Sequence, residues 1–246
     1  MHSYPATEFA IGLNGPSGLA FDNSCNLYVS NYNDNTIYKI TPSGIVTEFA
    51  SGLNGPGGLA FDNSCNLYVA NFNDSTISKI TPEGIVSTFA SGLNDPVGLA
   101  FDNSGNLYVA NYSNNTIFKI TPSGIVSTFV NIGLTGPWGL AFDKNDNLYV
   151  ANWGGNTISK IIPNGIVSEF TSVFHPQFLA FDKNDNLYTG TVLYKLFVIS
   201  SIGVKEELTI TGSAIDDVEG IAFDNNGNLY AVNNYARNII KIALGV

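Results

Sequence analysis

Apolar residues in this chain come in short bursts, and no burst keeps the three-to-four spacing of a helix. The first repeat shows the pattern. Gly18–Asp22 (GLAFD) is almost wholly apolar, and Leu27–Ser30 (LYVS) follows after the turn NSCN. Thr36–Thr41 (TIYKIT) comes next, and Ile45–Ala50 (IVTEFA) lies beyond Pro42-Ser43-Gly44. Runs rich in β-branched and aromatic residues, bounded by Gly, Pro and Asn, predict strands. The first two runs lack polar alternation, so both of their faces should be buried.

The same four-run unit recurs along the chain. Phe-Asp pairs stand at Phe21-Asp22, Phe61-Asp62, Phe101-Asp102, Phe142-Asp143, Phe181-Asp182 and Phe223-Asp224, at spacings of 40, 40, 41, 39 and 42. Pro16–Gly55 and Pro56–Asp95 differ at only nine of forty positions, so those copies are close duplicates. Four strands per forty residues is the arithmetic of a propeller blade, in which radial stacking buries both faces of each small sheet. The expected fold is therefore all-β: one six-bladed β-propeller of four antiparallel strands per blade. Its repeats fall at roughly 16–55, 56–95, 96–136, 137–175, 176–217 and 218–246.

The chain ends predict how the ring closes. The last copy stops at Asn238–Ala243 (NIIKIA), its third strand. Ala6–Leu13 (ATEFAIGL) matches Val46–Leu53 (VTEFASGL), the fourth strand of the first copy. The segment 6–13 should complete the last blade and remove the open edge.

Composition narrows the partners. Charged residues are only 12% and the formal charge is −10, with nine Lys and one Arg. Without a basic stripe there is no phosphate-binding surface, so nucleic acid is an unfavoured partner. No apolar run reaches the length of a membrane-spanning helix. The opening MHSYPATEFA lacks the charged and apolar regions of a signal peptide, while an Asn/Thr-rich surface suits an exported protein; the compartment stays open. Cys25 and Cys65 occupy equivalent turns of neighbouring copies, too far apart for a disulfide, and read as free thiols.

The consensus GPxGLAFDNxGNLYVANxNxxTIxKITPxGxVxxFA resembles an NHL repeat. It is also similar to repeats of the gluconolactonase-like and streptogramin-lyase (virginiamycin B lyase) families, all six-bladed, TolB-like propellers. The resemblance spans essentially the whole chain and implies the fold. Among these families it implies enzymes as well as protein- and RNA-binding modules. The lactonases hold calcium-like ions with Glu, Asn and Asp over the central channel, and the streptogramin lyases use paired His and a Glu with magnesium. Here the residues ending the second strands are Asn31, Asn71, Asn111, Asn152 and Asn233, which lack the charge a hard cation wants. The histidines are only His2 and His175. Neither enzyme signature is intact, so a catalytic role is the less favoured reading and no cofactor is expected. Ca²⁺ or Mg²⁺ is the alternative, held at an atypical site by Glu219 and Asp217 as candidate metal ligands together with Asn111 and Asn152.

Three further patterns carry candidate chemistry. Asp143-Lys-Asn145-Asp-Asn147 matches the start of a calcium loop, but its sixth position is Leu148 and its twelfth Gly154, so a tight hairpin capped by Asp is the expected structure. Lys39, Lys79, Lys119, Lys160, Lys195 and Lys241 read as one repeated third-strand position, each paired with an acid and laid over a neighbouring blade. Copy five breaks the pattern. Counted to Lys195 its top loop is four residues short, and an acidic insertion of six falls within 200–219.

Positions that vary between copies are the most informative. The residue after the repeated Pro is Ser17, Gly57, Val97, Trp138, Gln177 and, by alignment, Glu219. This loop and the second-to-third-strand loop should share one face. That would gather Trp138, Gln177 and Glu219 with Tyr112, Trp153, Tyr235 and the Asn111, Asn152 and Asn233 amides as the candidate ligand-binding residues. The favoured reading is a rigid, monomeric recognition scaffold that binds a protein, peptide or glycan at this face. The alternatives are an atypical metal-dependent lactonase or lyase and a structural surface or particle protein.

Overall fold

The computed structural model describes residues 3–245, and among them every regular element is a β-strand. Five sheets contain four antiparallel strands in sequential order, and the sixth contains five. Blade one is built from Pro16–Phe21, Leu27–Asn31, Thr36–Ile40 and Val46–Ala50, innermost to outermost. The inner strands of consecutive blades pack against one another around the ring, with Val218–Phe223 of blade six against Pro16–Phe21 of blade one. A six-bladed propeller results, as the repeat arithmetic requires.

Closure follows the predicted route and then adds to it. Ser3–Ala10 pairs antiparallel with Asn238–Ile242, so the chain termini share a sheet. Thr209–Gly212, which emerges from the irregular fifth copy, lies parallel to Ser3–Ala10 on its outer side. Part of the acidic insertion is therefore an edge strand that covers the closing strand.

The repeated aromatics hold blade to blade. Tyr28 meets Phe49 of its own blade at 4.9 Å and Phe61 of the next at 5.0 Å, both edge-to-face. The same trio closes the ring as Phe9, Tyr230 and Phe21. Each pair is worth about 0.5–1.5 kcal/mol beyond its area burial. Beneath them, second-strand residues such as Leu27 and Val29 are fully buried. This explains the missing alternation.

The turn Asp is an internal cap. Asp143 Oδ1 accepts from the backbone N–H groups of Asn145 and Asn147, both at 2.9 Å, and Oδ2 accepts from the Asn147 amide at 2.8 Å. Both oxygens are committed to the hairpin, and Asp146 takes the left-handed conformation. The calcium-loop match is thus a turn. Lys39, Lys79, Lys119, Lys160 and Lys241 reach their own blade's turn Asp at 3.5–4.0 Å. Each ammonium lies over its own blade's Tyr, such as Tyr28 at 5.4 Å, and not over a neighbouring blade.

Blade five corrects the sequence alignment. Tyr28 pairs with Lys39, but Tyr188 pairs with Val198. Lys195 stands opposite Thr191, where Thr36 stands opposite Asn31, and it bonds Glu207 instead of a turn Asp. Lys195 is therefore not the sixth copy of the lysine position. The loop is one residue short, and half of the apparent six-residue insertion disappears with the misalignment: Val198 to Phe223 spans 25 residues where Lys39 to Phe61 spans 22. Tyr188, with no lysine to offset it, has its hydroxyl pKa pushed up by burial and then by Asp182.

Candidate functional site at the channel mouth

Each inner strand carries one extra residue against its partner. Pro16 pairs with Asn31 but Leu19 with Val29, and the same shift recurs in all six blades. Such a bulge re-aims side chains. Here it presents the variable ring Ser17, Gly57, Val97, Trp138, Gln177 and Glu219 at one end of the channel. The next residue is usually glycine because the inner strands nearly touch. A Cβ on Gly98 would sit 2.1 Å from the Trp138 carbonyl oxygen.

Five of the six ring residues line a concavity of about 150 Å³, together with Tyr32 and Phe72. Tyr32 and Phe72 are 6.4 Å apart. Next to them stands an aromatic cluster: Tyr112 meets Trp138 at 5.5 Å and Trp153 at 6.2 Å, and the two tryptophans are 6.3 Å apart. His175 extends it, 4.4 Å from Trp153, with Nδ1 bonded to the Trp153 carbonyl at 2.8 Å.

The polar arc comes from blades five and six. Ser17 Oγ donates to Glu219 Oε1 at 2.7 Å, and the Asn234 amide donates to Oε2 at 3.2 Å. Gln177 Nε2 donates to Asp217 Oδ1 at 3.0 Å. Burial raises the Glu219 carboxyl to about 7, with Asp217 adding to the rise and the Ser17 hydroxyl opposing it. Burial likewise raises Asp217, against the hydrogen bonds from Gln177 and Asn234. Two buried polar atoms here have no partner: the Trp138 indole N–H and the Gln177 amide oxygen.

The predicted residues separate into those at the mouth and those beneath it. Trp138, Trp153, Tyr112, Gln177, Glu219 and Asp217 come together. Asn111, Asn152 and Asn233 are buried, and both ends of each amide are hydrogen-bonded, the oxygen in each case to the backbone of the connection from the preceding blade. Asn152, for example, accepts from the Thr135 backbone and donates to Thr157 and Ser159. Tyr235 is displaced to the exposed rim, where its ring partner is Tyr194. The register shows why: Asn234, not Tyr235, follows the paired Asn233 as Tyr32 follows Asn31. Asn234, Ser17 and His175 were the site residues missed, and aligning copy six on its Asn would have revealed the first.

A divalent metal does not fit this donor set. Among the described residues no three His, Cys, Asp or Glu side chains converge on a point. The ligand set Glu219, Asn111, Asn152 and Asp217 is not assembled, because the two Asn amides are spent on the backbone and on Thr and Ser hydroxyls. His175 is held within the aromatic cluster, and His2 lies outside the described residues. Also among the described residues, no helix is long and apolar enough to cross a membrane.

Comparison with known proteins places this geometry. A streptogramin B lyase structure is 17% identical, with a TM-score of 0.76 over 98% of this chain and 97% of that one. A catalytically inactive virginiamycin B lyase from Staphylococcus aureus with quinupristin is 22% identical, with a TM-score of 0.74 over 93% of this chain and 80% of that one. A gluconolactonase from Xanthomonas campestris is 16% identical, with a TM-score of 0.84 over 96% and 88%. Likeness at these identities concerns the fold alone. No curated protein matches the chain. The sequence pattern of the virginiamycin B lyase family matches residues 4–199, most of the chain, and the protein belongs to that family.

Proposed function

We propose that this member of the family is a non-catalytic recognition propeller that binds a peptide, protein or glycan at the channel mouth. One observation carries the reading. The variable ring puts an aromatic cluster against a polar arc containing two unpartnered buried atoms, while the donor set for a divalent metal is missing among the described residues. Unpartnered buried groups are costly, and a ligand that pairs them gains that cost back. Rigid aromatic walls with a few placed polar groups suit a recognition site.

Peptide and glycan arrays probed with the wild-type chain and with Trp138→Ala and Trp153→Ala test this. Binding should be lost in both variants and kept in Ile125→Ser, which alters an exposed residue at the far end of the blade. Equal binding by all four proteins would sink the proposal. Family membership favours a second reading, a lyase or lactonase. Quinupristin, found with the staphylococcal lyase, can be incubated with the protein and Mg²⁺ and followed by reversed-phase chromatography. Conversion to a new species would establish catalysis and overturn the non-catalytic role.

A further inference from the structure

We propose that the ligand presents a primary ammonium group beside an apolar body and a hydrogen-bond acceptor. The ammonium would sit against Glu219, on the side toward Gln177, the one ring residue outside the lined cavity, with the acceptor on the Trp138 indole N–H. This rests on the recognition reading above and names the class of ligand.

Three independent features point the same way. First, Glu219 and Asp217 share the Asn234 amide as a donor, and neither has a Lys or Arg partner among the ion pairs of the described residues. The repeated lysines are committed to turn aspartates at the other end of the blades. Two carboxylates without a counter-charge repel an anion and attract a cation.

Second, the unpartnered atoms define complementary chemistry. Gln177 is only 5% exposed, and its amide nitrogen is spent on Asp217, so its free oxygen asks for an N–H or O–H. A quaternary ammonium has no such hydrogen, whereas a primary ammonium has three donors. The Trp138 N–H asks for an acceptor in the same ligand.

Third, the rest of the cavity is apolar and aromatic. Tyr32, Phe72, Val97 and Trp138 surround Glu219 in a space of about 150 Å³, suited to one side chain. Aromatic faces next to a carboxylate favour an organic cation over a hydrated metal ion.

The chain's two tryptophans both lie in this cluster, so intrinsic tryptophan fluorescence reports on the mouth alone. The probes are L-phenylalaninamide, which has the ammonium, the carbonyl and the apolar body, and its N-acetyl derivative, which lacks the charge. The amine should change the emission saturably in the millimolar range or below, and acetylation should weaken binding by about tenfold or more. Glu219→Gln should weaken the amine by a similar factor and leave the acetyl derivative unaffected. Glu48→Gln, on an exposed outer strand, should change neither. Near-ultraviolet circular dichroism confirms that each variant is folded, and Gln177→Met offers a second route should Glu219→Gln be unstable.

Equal binding of the two probes, or amine binding indifferent to both substitutions, overturns the ammonium assignment and leaves recognition at the mouth standing. Absence of any response to the amine also overturns it, and the array experiment then judges the wider reading independently. Displacement of the amine by Ca²⁺ alone would reassign the carboxylates to a metal.

Discussion

Replacing the Glu219 carboxyl with an amide isolates one electrostatic contribution to stability. The carboxyl is buried near Asp217, which carries it to about 7 from an ordinary 4.5. Below pH 4.5 both the folded and unfolded chains hold the proton, and the group contributes nothing to pH dependence. Between 4.5 and 7 the folded chain keeps a proton that the unfolded chain releases, so stability falls as pH rises. Above 7 the full penalty is present. The gap corresponds to roughly 3 kcal/mol, and because the side chain still reaches water at the mouth about half of that is a fair expectation. The charged group acting on it is Asp217; Ser17, Gln177 and Asn234 are neutral. Urea unfolding of the wild type and Glu219→Gln at about pH 5 and about pH 8 measures the effect. The substituted amide cannot accept from Asn234 with its nitrogen, so the variant starts with a constant deficit. The informative quantity is the wild-type-minus-variant difference, which should move in the variant's favour by about 1–3 kcal/mol between the two pH values. All other titrating groups cancel in that comparison. An identical difference at both pH values would refute the reasoning.

The adjacent glycines of blade two should respond in opposite ways. A Cβ at Gly57 meets nothing closer than 3.8 Å, whereas one at Gly58 would lie 2.2 Å from the Val97 carbonyl. Thermal unfolding should find Gly57→Ala near neutral and Gly58→Ala destabilised by about 3 kcal/mol. Asp143→Ala removes three bonds within one hairpin and should cost about 2 kcal/mol in urea unfolding, with no dependence on added Ca²⁺. Asp62, Asp102 and Asp224 show the opposite titration behaviour to Glu219. Burial works against their ionisation, but the hydrogen bonds from Asn66, Asn106 and Asn228 win, and each carboxyl lies below its usual range. Their contribution is complete above about pH 4 and is lost as pH falls through the depressed values, so acid unfolding should begin there. In Asp102→Asn that acid transition should be shallower.

The repeat unit, the number of blades and the closure of the ring were legible in the sequence because each is a one-dimensional pattern with a physical cause. Phe21 and its five counterparts recur because each blade offers a Tyr edge to the next. Gly18 and Gly58 recur because inner strands touch at backbone distance. The segment 6–13 resembles a fourth strand because it is one. The mouth was only partly legible. The excess residue in each inner strand, which aims Trp138, Gln177 and Glu219 into one ring, shows itself only when two strands are paired. Register also decided that Asn234, not Tyr235, faces Glu219, and that Lys195 lies outside the lysine series. The partnering of Asn111 and Asn152 with backbone and hydroxyl groups likewise depends on loops brought together in space. Periodicity fixes which residues are equivalent; only the folded pairing decides which of them meet.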